Sequence, residues 1–417
     1  MTMTRSTVSI VRKLEEKSLL DTIRRAVNMI GGFSKFVKKG NTVLVKPNLI
    51  GGDPVPGTMT DVKVVKAVCD LVHEAGASRV IVADSCHVGG DTSEYAKSMF
   101  FPDILKGTPY EFIDLKKLKF KTVEMNGTVI KKLRVSEILD QIDVIVNVPV
   151  MKTHMMVKVS LATKNIKGLL HDASKRKMHE AGIEKALVDL ARVFRGDLNI
   201  IDGIIGSEGR APSWGVPKPM GLIFAGADPI ALDVVCSEVM CIDSKEIEYL
   251  QKAGQEGIGQ ADLSQIEVLG EKIQDVKDAF EPPPSGLLDK IDSIEVFEKD
   301  ACSGCMAWLS ASISQFYDEF LELDKILKKN NEKFYIALGL NLSPEDVPEE
   351  VRDKTVFYGK CAIEQFKQYE FGKIVKGCPP ALLQDFTTAA QQLYEKHYGK
   401  GKKIFTTVDD LPVPIDD

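Results

Sequence analysis

Four cysteines in the last third of the chain have the types and spacing of metal ligands. Cys302 and Cys305 form a C-x2-C pair, and Cys361 and Cys378 follow in glycine-containing segments. A C-x2-C turn lets two thiolates reach one centre, and the cysteine followed by proline at 378 is typical of ferredoxin clusters. The pattern predicts a [4Fe-4S] cluster bound by these four residues. Zinc is the alternative, although its sites more often contain two close C-x2-C pairs, and four reduced thiols that merely share a domain are a third interpretation.

A second group of reactive side chains lies in a basic segment that follows an apolar stretch at 143–150. Lysine there would bind carboxylate or phosphate, and histidine could transfer a proton. The candidate catalytic residues are Lys152, His154 and Lys164, and the candidate ligand-binding residues are Asn165 and Lys167.

The rest of the basic segment has a less specific pattern. A run of three cations, 175–177, is predicted to be a solvated surface patch, because exposed Lys and Arg runs usually have no specific role. His171 and His179 fit a ligand site and a structural role equally well. Cys69 and Cys236 occupy apolar helix positions, which favours core packing.

Further candidates follow other predicted strands. Lys46 and Asn48 end the first strand, where lysine is poor core material, although a lysine reaching into solvent past the sheet edge is the alternative. Asp202 and Glu208 lie in a glycine-rich segment that could bind a cation or a hydroxylated ligand, or form a plain turn. Asp233, one turn after the helix N-cap at Asp228, is predicted to point toward the same crevice.

The elements that must position these residues are those of a parallel α/β fold. Residues 42–49 predict a strand, 62–76 a helix with Asp61 as its N-cap, and 79–85 a second strand. Nearly continuous apolar runs at 143–150, 198–204 and 221–226 predict further central strands. Because ligands of parallel sheets bind outside the carboxyl ends of the strands, the basic segment is expected to face a ligand crevice.

The chain is predicted to contain two main domains. The EPPPSG segment at 281–286 is the expected linker, because three consecutive prolines cannot continue a helix or a central strand. Residues 1–280 would form Rossmann-like α/β units, with 1–142 and 143–280 as potential lobes. Residues 287–417 would form a smaller α/β cluster-binding domain, with helices at about 306–328 and 381–397.

Composition excludes several classes of partner. The net charge of −6 gives no general basic field, so nucleic acid and anionic membrane surfaces are not expected partners. No stretch approaches about 18 uninterrupted apolar residues, and no signal-peptide pattern is present. The expectation is a soluble, cytoplasmic protein whose eight cysteines are thiols or metal ligands.

Several strings taken together resemble the "domain of unknown function 362" family. They are VKPNL, EAGASRVIVADS, VNVPVMKTH, VSLATKNIKG, IDGIIGSEG and ADPIALD, within about residues 40–240. The resemblance implies an α/β fold and, because members often carry iron-sulfur ligands, is consistent with a cluster. It implies no substrate. Many relatives have two dense runs of cysteines, whereas this chain has four dispersed candidates.

A weaker architectural similarity is to the nickel-dependent lactate racemase family. That family uses a lysine to hold a pyridinium-derived cofactor and paired histidines for proton transfer. The similarity would imply such roles for Lys164 and His154.

Three functions follow as hypotheses. The leading one is a redox enzyme or electron-transfer protein that acts on an anionic small molecule or cofactor beside the basic residues, with a redox protein as partner. The second is a non-redox lyase, isomerase or racemase with a structural cluster. The third is an assembly protein that carries a cluster or cofactor.

Overall fold

A computed structural model describes residues 6–50, 54–212, 215–283, 291–369, 372–378, 380 and 383–398. Its contacts divide the chain into two compact units, residues 1–283 and 284–417. Part of the expected linker, residues 284–286, lies outside the described residues, as does Pro379.

The first unit is built around a ten-stranded sheet. Its strands are β1 (Ser6–Arg12), β2 (Thr42–Pro47), β3 (Arg79–Asp84), β4 (Tyr110–Asp114), β7 (Val144–Val148), β8 (Val150–His154), β9 (Lys158–Ser160), β10 (Leu198–Glu208), β11 (Val216–Gly226) and β12 (Ile266–Gly270). A separate pair contains β5 (Phe120–Glu124) and β6 (Lys132–Ser136).

The helices of this unit connect and cover the strands. They are α1 (Leu19–Met29), α2 (Phe33–Phe36), α3 (Val62–Glu74), α4 (Thr92–Ser98), α5 (Phe101–Leu105), α6 (Ala162–Asn165), α7 (Asp172–Glu180), α8 (Ile183–Val193), α9 (Pro229–Val239), α10 (Glu248–Gln255) and α11 (Ile273–Val276).

Five neighbouring strands of the sheet are parallel, in the order β10-β7-β2-β3-β4. Beyond β10 the order continues with β11, β1 and β12, and β11 is antiparallel to both of its neighbours. The carboxyl ends of the parallel strands therefore meet at one edge of the sheet, as ligand-binding α/β sheets require. The predicted mixed α/β fold with a parallel sheet is confirmed.

Local signals explain where two key helices begin. The Asp61 side chain accepts a hydrogen bond from the backbone N–H of Lys63 at the start of α3. Asp228 caps α9 by accepting from the N–H groups of Ile230 and Ala231, and proline occupies the first turn. These contacts satisfy helix N-terminal donors that have no intrahelical acceptor. Both N-caps were predicted correctly.

The predicted strands at 198–204 and 221–226 are both present but extend further. The structure has strands over Leu198–Glu208 and Val216–Gly226, which pair with each other as antiparallel neighbours. The additional residues include Pro217 and Pro219, which lack a backbone N–H and so gave no strand signal in the sequence.

The described residues of the second unit form a four-stranded parallel sheet and four α-helices. The strands, in spatial order, are β13 (Ile294–Glu298), β14 (Phe334–Leu338), β15 (Thr355–Tyr358) and β16 (Lys373–Val375). The helices are α12 (Ser303–Gln315), α13 (Tyr317–Asn330), α14 (Lys360–Phe366) and α15 (Leu383–Tyr398). The smaller C-terminal α/β unit was predicted from the sequence.

One helix of this unit was predicted wrongly. The expected single helix at about 306–328 is two helices separated at Phe316, whose backbone (φ −113°, ψ 36°) is not helical. An apolar pattern that continues through the break does not reveal an interruption at a single residue. Among the described residues, no helix is long and apolar enough to cross a membrane.

Candidate functional site

A buried ion pair joins the ends of β2 and β3. The Lys46 Nζ lies 2.8 Å from the Asp84 Oδ1, and their side chains are 1% and 2% exposed. The Lys46 ammonium also donates to the Pro47 carbonyl, and the second Asp84 oxygen accepts from the Leu49 N–H. Burial lowers the pKa of Lys46, although the carboxylate of Asp84 opposes this. The alternative that Lys46 reaches into solvent was wrong.

Gly168 is packed directly against this ion pair. A Cβ atom at this position would lie 2.0 Å from the Asp84 Oδ1 and 2.6 Å from the Lys46 Nζ. The Gly168 carbonyl accepts from the Ser85 N–H at 3.0 Å, which ties the segment to the end of β3. Only a hydrogen atom fits between the segment and the pair.

We therefore expect Gly168→Ala to displace the ion pair and to lower the free energy of unfolding by about 1–3 kcal/mol, the usual range for overpacking. Urea denaturation measures this change. Gly226→Ala is the matched control, because its added Cβ would meet Leu232 and Val8 no closer than 3.5 Å, which is ordinary contact. Equal effects of the two substitutions would contradict the role given to Gly168.

Lys152 is fully buried on β8. Its Nζ donates to the Asn48 side-chain oxygen at 2.5 Å and to the Thr58 carbonyl at 2.7 Å. Burial, followed by the positive charge of Lys164, lowers the pKa of Lys152 well below its usual value. The two predicted residues Lys152 and Asn48 are thus brought into direct contact.

Lys164 is on the short helix α6, whose position is fixed by Asp233. The Asp233 carboxylate accepts from the N–H groups of Ala162 and Thr163 at 2.7 and 3.0 Å, and Tyr249 donates a hydroxyl to it. Burial raises the pKa of Asp233 to about 7. Asp233 is therefore a positioning residue behind α6.

The Lys164 side chain differs from the other lysines of the site. It is half-buried, and within the described part of the chain it has neither a hydrogen-bond partner nor an ion-pair partner. Burial, with a smaller contribution from Lys46, lowers its pKa to about 8.

Lys167 and the two histidines complete the group. The Lys167 Nζ lies 2.5 Å from the Nε2 of His179, and burial lowers the pKa of both residues. The His154 Nδ1 accepts from the Met156 N–H at 3.1 Å, which places the proton of the neutral ring on Nε2. Burial and the charges of Lys164 and Lys167 lower the pKa of His154 well below its usual value.

Lys175 is buried, so the prediction of a surface run was wrong for this residue. Its Nζ donates to the carbonyl and hydroxyl oxygens of Ser85 at 2.8 and 2.6 Å and to the Cys86 carbonyl, and Asp172 lies 3.4 Å away. The sequence does not reveal that Lys175 is buried, because only tertiary contacts distinguish it from the exposed Lys177 in the same run of cations. Burial lowers the pKa of Lys175 to about 8.

We call this group the lysine cluster, defined by seven residues from the carboxyl edge of the sheet and the segment after it. They are Lys46, Lys152, His154, Lys164, Lys167, Lys175 and His179. The side chains of Lys164, Lys167 and His179 are half-buried rather than enclosed, so solvent reaches the cluster.

The lowered pKa of Lys164 predicts a distinctive pH dependence of stability. The folded-state pKa of about 8 lies below the value of about 10.4 for an unfolded chain. Between these values the unfolded state binds a proton that the folded state lacks, so raising the pH stabilises the fold. Urea unfolding between about pH 8 and 10 should show a smaller stabilisation in Lys164→Met than in the wild type. Parallel curves would contradict the assignment.

The remaining predicted ligand residues have structural contacts. Asn165 donates its side-chain amide to the Asn147 side-chain oxygen at 2.8 Å and to the Pro47 carbonyl at 3.3 Å. Asp202 accepts from the N–H groups of Asp61 and Ile204, and burial raises its pKa to about 7.

Glu208 and His171 likewise stabilise local structure. Glu208 accepts from the Glu281 N–H at 2.9 Å and lies 3.3 Å from the Lys218 ammonium. The sequence favoured neither a ligand role nor a structural role for His171. In the structure it accepts a hydrogen bond from the Ala173 N–H at the start of α7 and contacts the Phe120 ring edge-on. These contacts give neither residue a direct link to the lysine cluster.

Asp84 was not identified as a site residue from the sequence, although it lies near the end of the strand predicted at 79–85. The sequence did contain a signal for Asp84. It is an acidic residue that follows an apolar strand, and Lys46 follows the neighbouring apolar strand in the same way. A large open cavity of about 1160 Å³ lies elsewhere in the first unit and shares no residue with the lysine cluster. Its lining, which includes Glu238, Asp243 and Gln251, contains both acidic and basic groups.

The four cysteines of the second unit approach one another. Cys302 precedes α12, Cys305 is in its first turn, Cys361 is on α14 and Cys378 follows β16. A side-chain hydrogen bond with Cys302, then burial and the thiols of Cys378 and Cys361, raise the pKa of Cys305. Its Sγ lies 3.0 Å from the position of a Cβ on Gly359. The Lys360 N–H donates to the Gly377 carbonyl, which brings the Cys361 and Cys378 segments together.

All eight cysteines are thiols rather than halves of disulfides. Among the described residues, no three His, Cys, Asp or Glu side chains are arranged as a metal-ion site. The donor set nevertheless fits a cluster in kind, because the thiols of Cys302, Cys361 and Cys378 act on that of Cys305, and the four come from three segments of the chain. Cys69 and Cys236 belong to the hydrophobic cores, as predicted.

The fold and the lysine cluster define an α/β protein with a cationic site at the carboxyl edge of parallel strands. Residues 43–238 match the model of DUF362, a domain of unknown function. The chain is 32% identical over 261 residues to the thylakoid-associated protein sll1697 of Synechocystis sp.. The matched region covers 60% of this chain and 79% of that protein. The chain belongs to the DUF362 family.

Two solved structures have more distant likenesses. The lactate racemase apoprotein of Thermoanaerobacterium thermosaccharolyticum is 13% identical with a TM-score of 0.39, and 57% of this chain and 58% of that one are covered. A Thermotoga maritima protein is 12% identical with a TM-score of 0.33, and 62% of each chain is covered. The chain thus spans less than two thirds of either structure, and these likenesses carry no information about the reaction.

Proposed function

We propose that this protein is an iron-sulfur redox protein that binds an anionic small molecule or cofactor at the lysine cluster. The observation that carries the anion-binding part is the imbalance of buried charge. Five lysines gather there, whereas the carboxylates acting on them among the described residues are Asp84 and Asp172. Buried charges require partners, so a bound anion would supply the missing negative charge.

The identity of the cationic groups favours carboxylate or phosphate as the ligand group. Each lysine presents a point charge with rotatable donors rather than the planar fork of arginine. The neighbouring histidines are neutral because their pKa values are lowered, and they can exchange hydrogen bonds with a ligand. The site is therefore suited to bind an anion and to transfer a proton to or from it.

The redox part is supported by the three thiols that act on Cys305. Cys302, Cys305, Cys361 and Cys378 would hold a [4Fe-4S] cluster, which would supply one-electron chemistry when bound. A zinc ion is the alternative occupant. The redox partner protein and the cytoplasmic location expected from the sequence are parts of the same proposal.

Anaerobic purification with metal analysis, electron paramagnetic resonance and mass spectrometry of retained small molecules tests the whole proposal. We expect a dithionite-reducible cluster and an anionic molecule released on denaturation. Colourless protein that retains zinc and releases no anion would refute it.

We expect Lys167→Met to weaken the binding of inorganic pyrophosphate, used as an anionic probe. Hydrogen bonds to charged groups contribute about 1.5–3 kcal/mol, so the Kd should rise roughly 10-fold to 100-fold. Isothermal titration calorimetry measures the change. Lys158→Met is the matched control, because Lys158 is exposed and paired with Glu246 at 2.6 Å. Equal weakening in both variants would contradict a specific site.

A further inference from the structure

Lys164 differs from the other lysines of the cluster in having no partner within the described part of the chain. Its side chain is half-buried, it has no hydrogen-bond or ion-pair partner among the described residues, and it lies among like charges. The others are engaged: Lys46 with Asp84, Lys152 with Asn48, Lys167 with His179 and Lys175 with Ser85. The amino group of Lys164 is thus the one in this cluster that remains available for a ligand.

We propose that Lys164 is a nucleophile that forms an imine with the carbonyl carbon of an anionic carbonyl compound. This inference rests on the proposed anion site, because the surrounding ammonium groups would hold the anionic part of the ligand. It adds a covalent step and a substrate class to that site.

The surroundings of Lys164 favour the neutral amine that this reaction needs. Lys152 and Lys167 both experience its charge, so protonating Lys164 places another cation among cations. Burial adds to this effect, and the pKa of Lys164 falls to about 8. Nucleophilic lysines elsewhere are activated in the same way, by desolvation or by a neighbouring cation.

The step is balanced without an oxidant or a reductant. The amine lone pair forms the C–N bond, the carbonyl π electrons move to oxygen, and a proton passes from nitrogen to that oxygen. The carbinolamine then loses its hydroxyl group and the remaining N–H proton as water while the C=N bond forms. The products are one imine and one water molecule.

The same arrangement limits the ligand to compounds whose carbonyl group is close to a negative charge. The positive charge of Lys46 lowers the pKa of Lys164, and the charge of Lys164 in turn lowers the pKa values of Lys152 and Lys167. An anionic group near the carbonyl would contact these cations while the carbonyl carbon meets the amine. Pyruvate and pyridoxal 5′-phosphate are suitable probes, because their anionic groups are a carboxylate and a phosphate.

Reductive trapping of the full-length protein tests the proposal. The purified protein is incubated with pyruvate or pyridoxal 5′-phosphate, reduced with cyanoborohydride, digested and analysed by mass spectrometry. We expect the reduced adduct at Lys164, with a yield that rises between about pH 7 and 9 as the amine deprotonates. Pyrophosphate should suppress this adduct by occupying the cations.

Two variants test the position of the adduct. Lys164→Arg cannot form an imine, so it should show no adduct at position 164. Lys158→Arg should be trapped at Lys164 as efficiently as the wild type. No adduct at Lys164 with either probe, or equal yields at Lys164 and at exposed lysines, would overturn the inference. Pyrophosphate binding without trapping would overturn the nucleophile while leaving the anion site intact.

Discussion

Asp84→Asn is expected to lower the free energy of unfolding by about 3–5 kcal/mol, because it leaves the Lys46 ammonium buried without its counter-charge. Asparagine has nearly the same volume and can still accept the hydrogen bond from the Leu49 N–H. The loss would therefore report the missing charge rather than a cavity. Urea denaturation followed by circular dichroism measures it.

Two further variants test the cause of that loss. In Lys46→Met/Asp84→Asn no ammonium remains to be buried at this position, so the double variant should be more stable than Asp84→Asn alone. Glu94→Gln removes one partner of the exposed pair between Glu94 and Lys97 and should change stability little. A double variant that is less stable than Asp84→Asn would show that the ammonium is not the source of the cost.

Cys305→Ser is expected to abolish most of the iron content and the brown colour of the anaerobically purified protein. The wild type should contain about four irons per chain if the four thiols bind a [4Fe-4S] cluster. Serine replaces the thiol on which the other three converge. Inductively coupled plasma mass spectrometry and visible absorption give the result.

Cys241→Ser is the matched control, because Cys241 is an exposed thiol of the first unit. It should retain the iron content of the wild type. About one zinc per chain in colourless wild-type protein would favour the zinc alternative. Iron retained in full by Cys305→Ser would exclude Cys305 as a ligand.

The parts of the fold that the sequence predicted are those with local signals. The strand that ends at Pro47 is a short apolar run, and the helices capped by Asp61 and Asp228 have N-cap residues next to their apolar pattern. The sequence also placed the basic segment at the carboxyl edge of the sheet, because it follows an apolar strand and parallel strands have their carboxyl ends at one edge.

The parts that were missed depend on contacts distant in sequence. The pairing of Lys46 with Asp84 follows from β2 and β3 being adjacent in the sheet, and the burial of Lys175 follows from its contact with Ser85, 90 residues earlier. Charged residues are mostly exposed, so a run of cations favours the surface until a tertiary partner is known. The break at Phe316 has no glycine or proline beside it to signal it.

The contact between Asp233 and the start of α6 has a consequence for motion. The carboxylate comes from α9, a helix whose residues are almost all buried, and it holds the backbone from which Lys164 extends. If α6 opened as a lid, the Asp233 carboxylate would become exposed and two backbone N–H groups would lose their hydrogen-bond acceptor. This free-energy cost does not arise for flexible loops. A ligand would therefore be admitted by rotamer changes of the lysine side chains on a rigid backbone, on the fast timescale of side-chain motion rather than that of loop closure.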